Sequence, residues 1–420
     1  EVFDDALKDY AEINLLLDEL ISSALLEFKS DKGGQLKNVL KYQPFKGWYT
    51  EKFETSNEII HSDSSYVAPF KLGSLVVLEN ELIRVEICKD ASIKRITHKD
   101  FGDLIAPENL ANIFKAYVDR PLMWDAWDID PFYHEQYEVL NNNGNSKVLV
   151  NICDDGVLIT IEWKESYIQQ KIQLPVEDDN IRFKSKIDWH QKNTLLKVEF
   201  PVSIRSDIAR YHIPFGFIER STNREDEIGI AQYEVPAHYW AAIFDDDRGF
   251  AIINDCKYGY SIDQTSYGNK LALSLIKSAV FPDPIADQGL HEFEYGIVLF
   301  EKNNQRKIWE KSYEINRSSE INGENISFPE QILPLSGNDN LILEGIFWSQ
   351  KSCSLIARFY EPFGKSARIE LNVDNDIPYV IKSDIMENSE SCLVSQNGKL
   401  TFNVSPFEVV TLVIPKEGAL

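Results

Sequence analysis

Residues 181–189, with the sequence IRFKSKIDW, decide the fold that we expect for this chain. Charged side chains alternate here with apolar or small ones, which are Ile181, Phe183, Ser185, Ile187 and Trp189. Side chains at alternate positions of a β-strand point to opposite faces, so this pattern predicts one buried and one solvated face. Such strands are typical of packed antiparallel sheets.

The same texture extends to both sides of this strand. Residues 83–87 alternate likewise, and short apolar runs bounded by Gly, Pro, Asn and Asp continue from Gly34 almost to the C-terminus. Without the intervening helices that parallel βαβ units need, the body is predicted to be an all-β sandwich. From about Ile332 four further strand-like runs (LILEGIF, SLIARFY, ARIELNV and FEVVTLVI) predict a separate small β domain.

Two helical segments are predicted outside the sheets. Residues 1–29 carry apolar side chains every three or four positions, which indicates an amphipathic helix that ends before Gly33 and Gly34. Its apolar stripe needs a partner, either another subunit of a homo-oligomer or an upstream segment. Residues 308–315 could form a short helix in a polar stretch, and Ser318–Asn325 is predicted to be a linker.

Composition excludes several classes of partner. The 420 residues carry a net charge of −24, which disfavours nucleic acids and anionic membrane surfaces because both are polyanions. No apolar run approaches the roughly 20 residues that span a bilayer, and no signal peptide is evident.

The five cysteines form no CxxC pair, and no two of the seven histidines have metal-site spacing. We therefore expect reduced thiols, a cytoplasmic location and no metal site in this chain.

The sequence DRPLMWDAWDIDP, residues 119–131, is the strongest candidate binding segment. Trp124 and Trp127 could pack against the C–H face of a sugar ring, while Asp125 and Asp128 could accept hydrogen bonds from its hydroxyl groups. The alternative is a loop in which the tryptophans fill a core and the aspartates cap turns. Direct catalysis by the two aspartates is the least favoured interpretation.

Three residues further along the chain are weaker candidates for substrate binding. Tyr258 lies in KYGY, Asp287 in PDPIADQG, and His291 in DQGLHEF. The competing interpretation of all three is strand-end packing and hydrogen bonding within loops. The acidic run Asp245–Asp247 is predicted to be a solvated hairpin turn rather than a calcium site, because a single run supplies too few fixed ligands.

Several ordered segments resemble the C-terminal half of glycoside hydrolase family 38 α-mannosidases. Residues 119–131 resemble the family's "RP.WDAWD" motif, and VVLENELIRVEI with SIKRITHKDFGDLI resembles a strand pair of the family. PFGFIERST, QYEVPAHYWA, FPDPIADQGLHEFEY and RFYEPFGKSARIEL continue the series in the family's order. The matches span about residues 36–415 and are closest to the cytosolic and prokaryotic branch.

The resemblance implies a large antiparallel supersandwich of the mutarotase type, preceded by the tail of a helical bundle. The implied boundaries are 1–34 for the bundle helix, 35–74 for a small β segment, 75–318 for the supersandwich and 319–420 for a C-terminal β domain. Family members are retaining enzymes that hydrolyse terminal α-mannose of oligomannose. Their nucleophile, acid/base and zinc ligands lie in an N-terminal catalytic domain whose motifs do not occur here.

The resemblance therefore implies that this chain contributes scaffold and pocket-rim loops, with no catalytic residue and no metal ligand of its own. The catalytic domain and a mannose-containing oligosaccharide would be its partners. Two other hypotheses remain open. One is a non-catalytic carbohydrate-binding or structural β module. The other is an independent mutarotase-like enzyme, although no His/Glu pair for that chemistry is evident in the sequence.

Overall fold

The computed structural model describes residues 65–141, 144–316, 340–349, 351–352, 354–373 and 377–414, together with six positions between residues 8 and 16 and the backbone of residues 320–321 and 324–325. The chain divides into two compact units, Asn57–Asn316 and a second unit that combines Glu1–Ser56 with Arg317–Leu420. The six described N-terminal positions are helical, as predicted. The rest of the predicted helix 1–29 and residues 35–64 lie outside the described residues.

The described residues between 65 and 316 fold into strands linked by short loops, with little helix. The strands are β1 (Phe70–Leu72), β2 (Leu75–Glu79), β3 (Ile83–Ile87), β4 (Ile93–His98), β5 (Gly102–Asp103), β6 (Ile113–Val118), β7 (Tyr137–Val139), β8 (Ser146–Cys153), β9 (Gly156–Trp163), β10 (Ser166–Gln173), β11 (Ile181–Trp189), β12 (Thr194–Val202), β13 (Ile208–Ile213), β14 (Gly216–Ser221), β15 (Val235–Pro236), β16 (Trp240–Phe244), β17 (Arg248–Asn254), β18 (Gly259–Thr265), β19 (Gly268–Ser278) and β20 (Gly289–Glu301). The helices are the 3₁₀ turn η1 (Tyr133–Glu135), α1 (Glu227–Ala231) and α2 (Arg306–Asn316).

The described strands of this unit form three antiparallel sheets. A five-stranded sheet has the order β1-β2-β3-β4-β5. A nine-stranded sheet has the order β14-β13-β16-β17-β20-β11-β10-β9-β8, and a six-stranded sheet has the order β15-β18-β19-β12-β6-β7. The mainly antiparallel β fold predicted from the sequence is confirmed, including the β3–β4 pair and the β16–β17 hairpin, where Asp245 N donates to Arg248 O.

Strand β11 is the stretch quoted at the outset, and its burial follows its sequence. The five alternate side chains from Ile181 to Trp189 are buried, while the charged ones between them are half-buried or exposed. The strand pairs with β10 on one side and β20 on the other, so it is an interior strand of the nine-stranded sheet. Phe183 stacks on Tyr295 with ring centroids 4.8 Å apart. This aromatic pair belongs to the main apolar core.

A closed ring of hydrogen bonds lies inside this core. Asn112 Nδ2 donates to Gln170 Oε1 at 2.8 Å, Gln170 Nε2 donates to the Tyr295 hydroxyl at 2.7 Å, and that hydroxyl donates to Asn112 Oδ1 at 2.7 Å. Gln170 also donates to Ser185 Oγ. Because buried polar groups are costly unless paired, the ring fixes how the segment before β6 meets β10 and β20.

Strand β12 is buried on both faces, and its side chains are buried from Leu195 to Val202. Leu196, Val198 and Phe200 belong to the sandwich core. Leu195, on the opposite face, packs in a separate small cluster with Tyr117 and Tyr133. The segment that contains η1 therefore covers the outer face of the six-stranded sheet.

Helix α2 confirms the short helix predicted around residues 308–315. Trp309 is buried and packs edge-on against Trp240, with centroids 4.7 Å apart. Lys307 pairs with Asp179 at 2.5 Å, and Asp179 also lies 3.2 Å from His98 Nε2. These contacts fix the helix to the loop before β11.

Among the described residues, no helix combines the length and apolar character that crossing a bilayer requires.

The unit that contains residues 317–420 has its own β structure. Its strands are β21 (Glu320–Ile321), β22 (Glu324–Asn325), β23 (Ile342–Trp348), β24 (Leu355–Tyr360), β25 (Ala367–Asn372), β26 (Tyr379–Ser383), β27 (Ser389–Val394), β28 (Lys399–Val404) and β29 (Val409–Ile414). One sheet has the order β23-β24-β29-β26-β27, β25 pairs with β28, and β21 pairs with β22. The four C-terminal strands predicted from the sequence are confirmed, whereas the predicted linker 318–325 contains the β21–β22 pair.

Candidate functional site

Residues 119–131, called the aromatic loop below, connect β6 to η1 and expose an unusual amount of apolar surface. Trp124 and Trp127 are 60% and 70% exposed, and their ring centroids lie 6.1 Å apart at an interplanar angle of 74°. Leu122 and Met123, which precede them, are also exposed. Exposed apolar surface of this kind is a common feature of interaction sites. The tryptophans do not fill a core of the described residues, so that part of the alternative interpretation is wrong.

A tight turn presents the two indoles. Trp124 has a positive φ of 62°, and its carbonyl oxygen accepts hydrogen bonds from the backbone N–H groups of Trp127 and Asp128, both at 2.8 Å. A bulky residue in this region of φ/ψ space is strained, and such strain persists only where the surroundings impose it. The turn therefore needs support from outside the loop.

Asp125 supplies part of that support. Its Oδ2 atom accepts hydrogen bonds from the backbone N–H groups of Val280 at 2.8 Å and Phe281 at 3.1 Å. The Asp125 carboxylate is thus directed at the backbone of a second loop, residues 279–288. This geometry matches the capping role weighed for Asp125 in the sequence.

Lys277, at the end of β19, contacts both the aromatic loop and the loop of residues 279–288. Its ammonium group donates to the carbonyl oxygen of Asp125 and lies 3.0 Å from Asp119 Oδ2. Asp119 is buried, and its Oδ1 atom accepts a hydrogen bond from Asp130 N at 2.8 Å. The two ends of the aromatic loop are therefore held together by Asp119, and Lys277 ties them to β19.

Asp128 is arranged differently from Asp125. It is exposed next to Trp127, and its Oδ1 atom accepts a hydrogen bond from the adjacent Ile129 N at 2.9 Å. A carboxylate has about four lone-pair positions, so this local bond leaves capacity for hydroxyl donors of a ligand. Trp124, Trp127 and Asp128 together form an aromatic and acidic surface suited to a polyhydroxylated ring.

Asp287, on the second loop, and His291, near the start of β20, adjoin this arrangement. Asp287 has a positive φ of 54°, and its Oδ2 atom accepts a hydrogen bond from Lys277 N at 3.3 Å. His291 Nε2 lies 2.9 Å from the Asp287 carbonyl oxygen. Burial lowers the pKa of the His291 imidazole, which favours its neutral form at neutral pH. Both residues therefore stabilise the loop that Asp125 caps.

Tyr258 has other neighbours. Its side chain is 56% exposed and packs edge-on against His238, with ring centroids 6.0 Å apart. Its carbonyl oxygen accepts a hydrogen bond from Ala237 N. Lys277 contacts two candidate residues directly, Asp125 and Asp287. Trp124, Trp127 and Asp128 belong to the same turn as Asp125, and His291 contacts Asp287. These contacts do not connect Tyr258 to that group.

Two residues that position the loop were missed in the sequence. One is Lys277, whose signal is a lysine in the strand sequence LALSLIKSAV, which is otherwise apolar except for two serines. The other is Tyr233, whose hydroxyl group donates to the carbonyl oxygen of Ile129 at 2.7 Å. A tyrosine 104 positions away from its acceptor gives no local pattern, so its role could not be inferred from the sequence.

The described residues do not fit a metal centre. No group of three or more histidine, cysteine, aspartate or glutamate side chains within them could hold a metal ion. A catalytic zinc ion needs three protein ligands in addition to water or substrate. No step of the chemistry is therefore assigned to a metal bound by these residues.

Comparison with known families explains this set of features. The model of the "Glycosyl hydrolases family 38 C-terminal domain" matches residues 78–285, and that of the "Glycosyl hydrolases family 38 C-terminal beta sandwich domain" matches residues 340–412. The chain belongs to glycosyl hydrolase family 38. The first family 38 match contains the whole aromatic loop and Lys277.

Individual family 38 proteins show how much of a full-length member the chain represents. It is similar to "Alpha-mannosidase 2C1" of Mus musculus, with 30% identity in an alignment of length 366 that covers 81% of this chain and 33% of the mouse protein. It is also 30% identical to "Alpha-mannosidase" of Saccharomyces cerevisiae in an alignment of length 348 that covers 74% of this chain and 31% of the yeast protein. The chain thus spans about a third of the length of these curated relatives.

Solved structures support the family 38 fold. The crystal structure of an alpha-mannosidase from Enterococcus faecalis V583 superposes with a TM-score of 0.63 at 14% sequence identity. The superposition covers 84% of this chain and 43% of the bacterial chain. At this identity the similarity concerns the fold alone.

Proposed function

We propose that this chain is the C-terminal β portion of a retaining, zinc-dependent α-mannosidase that removes terminal α-D-mannose from oligomannose. The proposal is supported by membership in family 38 and by the similarity to mouse and yeast proteins that are named alpha-mannosidases. Because the chain spans about a third of those relatives, we place the nucleophile, the acid/base and the zinc ligands in an N-terminal catalytic domain. That domain is the proposed partner of this chain.

The proposed contribution of this chain is one wall of the mannose pocket. The observation that carries it is the pair of exposed indoles, Trp124 and Trp127, beside the Asp128 carboxylate. Indole faces pack against sugar C–H groups, and a carboxylate accepts hydrogen bonds from hydroxyl groups. In this assignment Asp125 and Asp287 hold the two loops.

The remaining candidates, Tyr258 and His291, are proposed as rim contacts. Tyr258 is more than half exposed, so its hydroxyl group can reach a ligand. His291 keeps a neutral imidazole because burial lowers its pKa, and its Nε2 atom is engaged with the Asp287 carbonyl. Its contribution to the pocket is therefore through the remaining edge of the ring.

A wall of this kind contributes binding energy by packing against the sugar. We assign the positioning of the anomeric carbon, between two carboxyl groups about 5–5.5 Å apart in retaining glycosidases, to the catalytic domain. Contacts made equally in the ground state and the transition state mainly change KM. We therefore expect Trp124 and Trp127 to act chiefly on KM.

The test uses the full-length protein with W124A and W127A, assayed on an aryl α-mannoside and on oligomannose. Loss of one stacking contact of about 1 kcal/mol should raise KM about fivefold with little change in kcat. Trp348, an exposed tryptophan of the C-terminal unit, provides the matched control W348A, which should leave KM unchanged. Equal KM values for wild type, W124A and W127A would contradict the pocket-wall role.

A second candidate function is a carbohydrate-binding β module without turnover, and the same exposed indoles favour it. Titrating the chain alone with mannose oligosaccharides, followed by NMR or calorimetry, tests for binding that needs no other domain. Under the main proposal the chain alone hydrolyses nothing, and turnover appears when the catalytic domain is present. Binding by the chain together with an inactive full-length protein would favour the module.

The proposed location is the cytoplasm. The four described cysteines, Cys88, Cys153, Cys256 and Cys392, are free thiols, which is the state that a reducing compartment maintains. Fractionation of cells that express the full-length protein tests this placement directly.

A further inference from the structure

A buried ion pair lies beneath the aromatic loop. Lys197, on the outer face of β12, is 1% exposed, and its ammonium group donates to the Glu234 carboxylate and, at 2.8 Å, to Ser261 Oγ. Taking two charges out of water costs several kcal/mol per ion, and apolar residues of similar volume are often at least as stabilising. An explanation of this pair should therefore be sought in the geometry that it imposes.

The Glu234 carboxylate occupies a defined position. It also accepts a hydrogen bond from Ser274 Oγ, and it lies directly over Gly259. A Cβ atom at position 259 would come within 2.8 Å of Glu234 Oε1 and 2.9 Å of Ser274 Cβ. The carboxylate therefore fits against the sheet because position 259 carries no side chain.

Tyr233 is fixed because it precedes Glu234 in the chain. Its carbonyl oxygen also accepts a hydrogen bond from Arg224 Nη2 at 3.1 Å, and Arg224 is paired with Asp263 at 2.7 Å. From this position the Tyr233 hydroxyl group donates to the carbonyl oxygen of Ile129, inside the aromatic loop. The loop is thus supported by a side chain that the buried ion pair holds in place.

Tyr133 provides a second support on the same base. Its hydroxyl oxygen lies 3.4 Å from Lys197 Nζ, and its ring centroid lies 5.4 Å from that atom. Its ring packs against Tyr233 with centroids 6.3 Å apart, and its backbone N–H donates to the carbonyl oxygen of Asp130 at 3.0 Å. Two consecutive loop residues, Ile129 and Asp130, are therefore held by two tyrosines that pack against each other, and one of these, Tyr133, lies beside Lys197.

We infer that Tyr233 and Tyr133, seated on the buried Lys197–Glu234 ion pair, are positioning residues that set the height and orientation of the aromatic loop. These four residues are called the brace below. The inference rests on the proposed function, since it assigns the brace to the same pocket wall. It adds that sugar affinity depends on residues that do not touch the sugar.

The test compares Y233F with wild type in two measurements. The first is hydrogen exchange of residues 119–131, followed by mass spectrometry on the purified chain. Removing one hydroxyl group that contributes about 1 kcal/mol should speed exchange of this segment about fivefold and leave the core strands unchanged. Tyr137, which lies on β7 and packs against Tyr117, supplies the matched control Y137F, which should exchange like wild type.

The second measurement is steady-state kinetics of the full-length protein on oligomannose. Y233F should raise KM about threefold to fivefold at constant kcat, and E234Q should do the same while keeping the shape of the side chain. A purely structural role would instead lower the yield of folded enzyme and leave KM unchanged.

The outcomes separate the inference from the proposed function. Wild-type exchange of residues 119–131 in both Y233F and E234Q would overturn the brace, whatever the activity. Faster exchange with unchanged KM, in an enzyme whose KM does respond to W127A, would also overturn the positioning role. An enzyme whose KM responds to neither W124A nor W127A would overturn the proposed function instead, while the exchange data would still report on the brace.

Discussion

The ammonium group of Lys277 lies 3.0 Å from the Oδ2 atom of Asp119, and this contact joins the base of the aromatic loop to strand β19. The Asp119 side chain is only 3% exposed, whereas the Lys277 side chain is 20% exposed. The lysine thus neutralises a carboxylate that the surrounding residues remove from water.

Replacement of Lys277 should therefore destabilise the chain. K277M leaves the Asp119 charge buried without its counterion, and we expect a loss of about 2–4 kcal/mol in the free energy of unfolding. Urea denaturation of the purified chain measures this loss. The control is K147M, which breaks a pair whose two side chains are 63% and 47% exposed and should cost less than about 1 kcal/mol. Equal losses in the two variants would contradict the assignment.

Asp125 and Asp128 should separate into a structural and a binding role. D125A removes the acceptor of two backbone N–H groups, at Val280 and Phe281, and should lower the free energy of unfolding by about 1–3 kcal/mol. D128A removes one local bond on the surface and should change stability by less than about 0.5 kcal/mol. In the full-length enzyme D128A should nevertheless raise KM. If D128A were the more destabilising variant, the two roles would have been assigned the wrong way round.

Acid should weaken the attachment of helix α2. Although burial opposes ionisation, the hydrogen bond from His98 and the charge of Lys307 lower the pKa of Asp179 to about 2, below its ordinary value of 3.8. A carboxyl whose pKa is lower in the folded state stabilises the fold above its unfolded pKa and loses that contribution as pH falls. Asp179 should thus contribute about 2 kcal/mol at pH 6, a contribution lost progressively between about pH 4 and pH 2.

The measurement is the free energy of unfolding between pH 6 and pH 2.5. D179N should be less stable than wild type at pH 6, and the difference should shrink toward pH 2.5. The Asp246 side chain is 98% exposed, so D246N should follow the wild-type curve throughout. A difference between wild type and D179N that stays constant with pH would show that Asp179 does not titrate in this way.

Gly259 offers a test of the brace that changes no charge. G259A places a Cβ atom within 2.8 Å of Glu234 Oε1, so the carboxylate or strand β18 must move. Overpacking of this kind costs about 1–3 kcal/mol, and we expect faster hydrogen exchange in residues 119–131 as well. Gly73 is the control for glycine in a turn, because a Cβ atom there meets nothing within 4 Å. G73A should leave exchange of the aromatic loop unchanged, although its positive φ adds local strain.

Much of the fold could be predicted because it follows from local periodicity. The alternation from Ile181 to Trp189 gave the bounds and the buried face of β11. The apolar positions around Trp309 gave helix α2, and the acidic run after Phe244 gave the β16–β17 hairpin. In each case the pattern that decides the structure lies within about ten residues.

The arrangement of the candidate site could not be predicted in the same way. Asp125 meets Val280 across 155 positions of sequence, and Tyr233 meets Ile129 across 104. Such contacts depend on the order of strands in the six-stranded sheet, where β6 and β19 both flank β12. Local propensity does not specify that order. The residue types of the site were therefore visible in the sequence, but the partners that hold them were not.

The closed ring of Asn112, Gln170 and Tyr295 bears on recombination between homologues. Its three members lie far apart in the chain, so a crossover between residues 112 and 295 draws them from different parents. A chimera whose parents differ at these positions would enclose unpaired polar groups, each costing about 1–3 kcal/mol. The aromatic loop contains no member of the ring. A replacement loop must nevertheless keep Asp119 and Asp125, because their partners Lys277 and Val280 lie outside it.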